Sequence, residues 1–315
     1  MNHAVLSSLA PVVLCIFIGF LVARRGWIRA SAVKDLSNLA FLVLAPALLF
    51  RTMGSVRVQQ LDFQPVGSYF LAAAIVFAGV LVACGFDKRA TLLAMAGTFS
   101  NVLMVGVPLV DLLYGDAGLV TLFTLISVHS LILVTIATFL LELASAREDA
   151  AAGRHADRHL VLTVLAAVRN GILHPVPLPI ILGLLFAQTG LVLPEALDKS
   201  LLLLGSAQVP VSLVLVGVTL AFTTVGTHLR GALGLCLVKN LAHPLAMLAV
   251  GKLLGLSGLP LTVMVLTAAL PIGANVFLFS QRYRTAEGLV TAGVAVSTAL
   301  GLVTLPLILV LAAHL

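Results

Sequence analysis

Ala96-Gly97-Thr98-Phe99-Ser100-Asn101-Val102-Leu103-Met104-Val105-Gly106-Val107-Pro108 and Ala268-Ala269-Leu270-Pro271-Ile272-Gly273-Ala274-Asn275-Val276 are two apolar stretches that interrupt their own helices. Each sets one asparagine, Asn101 or Asn275, mid-span among glycine and proline. A break in a membrane helix frees backbone groups, and it survives only where protein or a watery cavity satisfies them. Paired breaks at corresponding positions of two halves are the sequence pointer to a carrier's binding site.

Composition places these stretches in lipid. Of 315 residues, 61% are hydrophobic and 10% charged, and mean hydropathy is +1.17. Soluble domains carry about a quarter charged residues, so the chain reads as an all-α polytopic membrane protein. The formal net charge of +6 is better explained by basic loops facing the cytoplasm than by a nucleic-acid partner. Cys15, Cys84 and Cys236 fall inside apolar spans and read as small apolar residues, not as a disulfide or metal framework. The start, Met1-Asn2-His3, has no basic n-region, so residues 4–23 read as a retained first helix.

A span takes about 20 apolar residues. Ten are expected, at 4–23, 36–54, 66–85, 90–110, 117–142, 175–191, 199–222, 230–254, 260–280 and 286–313. With the N-terminus outside, the inner loops hold 13 of the 18 Lys and Arg residues and the outer loops four (Arg51, Arg57, Lys199 and Lys252), with Lys239 inside a span. That bias places both termini on the non-cytoplasmic side. The most polar stretch, Arg147 to His159, falls mid-chain on the cytoplasmic side, and residues 158–174 are expected at the interface. The chain therefore divides into residues 1–145, a linker at 146–174, and residues 175–315. Five spans per half force opposite orientations, the arrangement of an inverted repeat. Matched order supports it: Asn101 precedes Asp116-Ala117-Gly118-Leu119-Val120, and Asn275 precedes Ala286-Glu287-Gly288-Leu289-Val290.

Several stretches carry a resemblance. They are Gly19 to Gly26 followed by Leu42 to Phe50; Phe99-Ser100-Asn101 through Gly106-Val107-Pro108; His174-Pro175 with Gly183-Leu184 and Gly190 to Pro194; and Leu270-Pro271 with Asn275, Ser297-Thr298 and Thr304-Leu305-Pro306. In this order the chain resembles the auxin efflux carrier family, which includes bacterial malonate and malate permease-like members. The resemblance implies ten helices in two inverted five-helix repeats, a fold of sodium/proton-antiporter or bile-acid-symporter type. It implies broken helices 4 and 9 that cross, with substrate bound beside the crossover. The long cytoplasmic loop of plant members is absent, which points to a prokaryotic carrier of the cytoplasmic membrane. A homodimer is expected only on this resemblance.

The chemistry of such a crossover suits an anion. The N-terminal end of a half-helix presents free N–H groups and partial positive charge. An asparagine amide can bind a carboxylate without burying a permanent charge. Asn101 and Asn275 are thus expected to bind substrate, while Gly97, Gly106, Pro108, Pro271 and Gly273 shape the crossover backbone. For each asparagine the competing role is a helix–helix hydrogen bond.

None of the 12 acidic residues sits near the centre of a span, so a central carboxylate pair of the antiporter kind is absent. The central ionisable groups are His129, Lys239 and His243. A charge at mid-bilayer costs a few kcal/mol on insertion scales. Lys239 is therefore expected to act as a counter-ion for the anion, to change protonation during the cycle with His243 and His129, or to tie down unwound carbonyls. Gln208, beside Pro210, is a further candidate for the cavity wall. No phosphate loop, metal-ligand pair or nucleophile triad is recognisable, so neither an enzyme nor a cofactor is expected. The expectation is a secondary carrier of a small organic anion, driven by protons or membrane potential. The alternatives are a sodium-coupled symporter and, in another class, a membrane receptor or sensor.

Overall fold

Apolar runs this long leave no backbone solution in lipid but helices, since every N–H and C=O must find an internal partner. The computed structural model describes residues 2–151, 160–173, 175–223 and 225–312. They form an all-helical polytopic membrane protein. Helix α1 spans Asn2–Arg24. Helices α2 (Ala32–Leu39) and α3 (Ala45–Met53) are joined by a wide π turn at Ala40–Leu44 into one apolar rod. Helix α4 is Gln64–Cys84, and α5 is Lys88–Thr98, capped by the Asp87 side chain on the Ala90 amide.

After α5 the chain breaks at residues 99–101, resumes as a π turn at Val102–Gly106, and continues into α6, Val107–Ala151. Within α6 the backbone turns at Gly115, whose φ of 56° and ψ of −150° suit glycine above other residues. That turn separates the fourth and fifth expected spans. Helix α7 (Leu160–Ile172) carries the expected interfacial segment and packs on α6. Linker residues 152–159 and His174 lie outside the described residues.

The second half runs α8 (Pro177–Gln188), α9 (Glu195–Phe222), α10 (Leu229–Cys236), a π turn at Leu237–Ala242 and α11 (His243–Leu253). Then come α12 (Gly258–Ala269), a second break, α13 (Asn275–Arg282) and α14 (Glu287–Ala312). Among the described residues, six helices are long and apolar enough to cross a membrane, and shorter apolar helices accompany them. Helix α8, at 12 residues, is even shorter than the expected span 175–191: it starts at Pro177 and ends at Gln188.

Helix α1 lies along α9, α3 packs against α8 and α9, α4 against α5 and α11, and α10 against α14. The α1–α9 contact is a backbone-to-backbone approach. A β-carbon on Gly217 would lie 1.9 Å from the Ile16 carbonyl oxygen, and one on Gly19 would lie 2.0 Å from that of Val214. Small residues allow such approach in lipid, where dispersion and not water expulsion holds helices together. Gly217→Ala should therefore destabilise by about 1–3 kcal/mol or more, as overpacking does. Gly67→Ala, which meets open space, is the control. A thermal unfolding temperature that falls equally, or not at all, in both variants would contradict this packing.

Candidate functional site

The two breaks lie against each other. Ser100 and Ile272 form an antiparallel bridge. The Asn101 amide donates to the Pro271 carbonyl at 2.9 Å, and the Gly273 amide donates to the Phe99 carbonyl at 2.9 Å. Two unwound segments thus pair with each other in place of water, which is how non-helical backbone is tolerated at membrane depth. The Ile272 amide is taken by the Ser297 hydroxyl of α14 at 3.1 Å.

The glycines and prolines expected to shape this crossing sit around it. A β-carbon on Gly273 would fall 2.7 Å from the Phe99 ring and 3.1 Å from the Ser100 carbonyl, so the second strand of the bridge needs glycine for close approach. Gly106 faces Leu270 and Gly97 faces Val238. Pro108 is the second residue of α6, directly after the π turn at Val102–Gly106, and Pro271 supplies a bridging carbonyl.

Asn101 and Asn275, each half-buried, line one cavity of about 470 Å³. Asn101 also caps the helix it precedes, its Oδ1 accepting from the Met104 amide at 3.4 Å. The lining also includes Ser37 and Asn38 of α2, Thr219 of α9, Thr223 just past its end, and Thr298 of α14. Apolar walls come from Phe41, Met104, Val216, Leu220 and Phe277. Among the described residues, none that lines it is charged.

Lys239 and Gln208 do not line this cavity. Lys239 is fully buried, and its Nζ donates to the Ala268 carbonyl in the last turn of α12 at 2.5 Å, satisfying a group that a helix end leaves without a partner. Gln208 is buried within α9, a helix that packs against α1 and α3, and donates to Ser212 Oγ at 2.9 Å. His129 and His243 also lie outside the cavity, in a buried cluster behind the crossing. There the Tyr69 hydroxyl shares hydrogen bonds with Ser100 Oγ at 3.0 Å and His129 Nε2 at 3.5 Å, and the His243 ring stands 5.3 Å from that of Tyr69.

Sequence reasoning passed over Tyr69, Ser37, Asn38 and Thr219, and placed Asn240 only within the polar cluster Lys239 to Pro244. The Asn240 amide donates to the Ser297 carbonyl at 3.0 Å and to Thr304 Oγ1 at 3.3 Å, anchoring the π turn to α14. The available signal was a polar side chain in a span, a weak one, since Ser and Thr in membrane helices mostly bond their own turn, as Thr298 does to Val294.

The family model described as "Membrane transport protein" matches residues 4–309. The chain belongs to this family. The motif order that resembled auxin efflux carriers is thereby accounted for, and among relatives in the membrane transport protein family the matches extend over most of the chain. A putative malonate transporter of Rhizobium meliloti (strain 1021) is 27% identical over 298 residues, covering 92% of this chain and 90% of its own length. Auxin efflux carrier component 8 of Arabidopsis thaliana is 26% identical over 231 residues, covering 62% and 63%. The uncharacterized transporter YfdV of Escherichia coli (strain K12) is 25% identical over 314 residues, covering 96% of each chain.

Proposed function

We propose that this membrane transport protein is a secondary carrier for an organic carboxylate, bound between Asn101 and Asn275 and moved by alternating access across a bacterial cytoplasmic membrane. The observation that carries the proposal is the meeting of both asparagines, from breaks bridged to each other, at one cavity with no charged residue among its described lining. Two amides and two half-helix N-terminal ends stabilise one carboxylate. The same neutral lining disfavours a second carboxylate, whose desolvation nothing there offsets. The cavity falls within the roughly 300–1,000 Å³ usual for drug-sized ligands, and its walls are largely apolar side chains. The preferred substrate is therefore a singly charged carboxylate with an apolar body; the malonate in the Rhizobium relative's name is the competing substrate.

Ten spans arranged as two inverted five-helix repeats, residues 1–145 and 175–315 about the 146–174 linker, complete the reading. In that frame the cavity opens beside Val33, Pro175 and Thr223, at the span ends nearest the basic loops, so the conformation is inward-facing. Lys239 holds the crossover through Ala268, and with no acid at the centre of a span the driving force is protons or membrane potential in preference to sodium. The His129–Tyr69–His243 cluster is the proposed place for a proton.

Uptake into proteoliposomes, with aryl- and alkyl-acetates compared with malonate and succinate under imposed proton, sodium and electrical gradients, tests this. Monocarboxylates should exceed dicarboxylates in kcat/KM by at least about tenfold, given an uncompensated buried charge of several kcal/mol. The reverse order would reject the monocarboxylate preference, and transport of no organic anion under any gradient would reject the carrier reading itself.

A further inference from the structure

A second intramembrane hollow lies on a different face from the proposed substrate cavity. Helix α4 packs against α11 but diverges from α10, because the π turn at Leu237–Ala242 redirects the rod between them. The wedge left behind is a groove of about 490 Å³, walled by Val76, Val80 and Ala83 on one side and Leu235, Val238 and Ala242 on the other, with Leu93 of α5 behind. Its floor is kept clear by glycine. A β-carbon on Gly79 or on Gly234 would meet nothing within 4 Å, so neither glycine is there for helix packing. Both are exposed, and the groove therefore opens sideways, toward the surroundings of the bundle.

Among the described residues, one that lines the groove is charged. Arg89, exposed at the start of α5, stands at its end beside Cys84, and it has no acidic partner among the described residues. Its neighbour Lys88 pairs with Glu148. Arg230, exposed, directly precedes Gly231 of the opposite wall. An apolar slot open to lipid, ending at an unpaired guanidinium at the level where a span ends, matches the two parts of a phospholipid: acyl chain and phosphate.

We propose that this groove is a binding site for an anionic phospholipid, one acyl chain lying between α4 and α10 over Gly79 and Gly234, and the phosphate paired with Arg89. The lipid fills a void that would otherwise forfeit van der Waals contact, and it supports α10 where α10 stands away from α4.

Native mass spectrometry of the purified full-length protein, titrated with phosphatidylglycerol and with phosphatidylcholine, tests the site. Wild type should retain phosphatidylglycerol preferentially. Arg89→Gln should lower that preference by about fivefold, the effect of one basic residue near an anionic headgroup, while Arg29→Gln should not. Gly79→Leu combined with Gly234→Leu should abolish retention of either lipid while the unfolding temperature of the lipid-free protein in detergent stays unchanged, since both side chains enter open space. Retention that ignores Arg89 or survives the double leucine variant would overturn the proposal. So would displacement of the bound lipid by a transported carboxylate, which would make the groove a substrate portal.

Discussion

Asn275→Ala is expected to raise the half-saturating concentration of a transported carboxylate by about 10- to 150-fold, the loss of one hydrogen bond to a charged group at about 1.5–3 kcal/mol. Asn275 opens α13, is half-buried and faces the cavity. Its side chain makes no hydrogen bond among the described residues, so its removal should leave the unfolding temperature nearly unchanged. Asn101 differs, because its Oδ1 also caps the next helix through Met104. Asn101→Ala should therefore weaken binding and cost a further 1 kcal/mol or so of stability, the ordinary worth of a cap. Asn101→Asp should keep the cap and repel the anion, separating the two roles. Unchanged half-saturation in both alanine variants, measured in proteoliposomes, would remove the asparagines from the site.

The second large effect is at Lys239. Lys239→Ala should yield little folded protein: truncating a long buried side chain costs about 2–5 kcal/mol, and it also leaves the Ala268 carbonyl unpaired. Lys239→Met retains the stem and should fold with a deficit of about 1–3 kcal/mol, the cost of that orphaned acceptor. Because Lys239 does not line the cavity, turnover in the methionine variant should fall while KM stays within about threefold, the pattern of a lost positioning group and not of lost ground-state binding. A KM raised more than about tenfold at unaltered stability would instead make Lys239 the anion's counter-ion. The measurement is purification yield, thermal unfolding and concentration-dependent uptake on the same preparations.

The two asparagines were legible because their setting is local. Pro108, Gly106, Pro271 and Gly273 each restrict or free their own backbone, and that constraint can be read without knowing any neighbour. Lys239 was legible as an anomaly, a charge in an apolar span, but not as a partner of Ala268. A backbone carbonyl has the same chemistry at every residue and leaves no mark in the sequence. Ser37, Asn38 and Thr219 were missed for a related reason. Each lies on a helix far along the chain from both breaks, and only the rotation of α2 and α9 about their axes decides whether such a side chain meets a cavity, a neighbour or its own turn. Gln208 shows the converse, a polar residue beside a proline that packs inward, bonded to Ser212.

The sequence by itself determined membrane class, helical state and the places where two helices must stop, since hydropathy, lipid's lack of hydrogen-bonding partners and the covalent limits of proline and glycine act residue by residue. Only the tertiary structure decided that the stops meet in an antiparallel bridge, that both asparagines reach one uncharged cavity, and that the buried lysine turns to a helix end instead. Those outcomes depend on helix tilt and rotation, which many weak contacts set together and no single residue encodes.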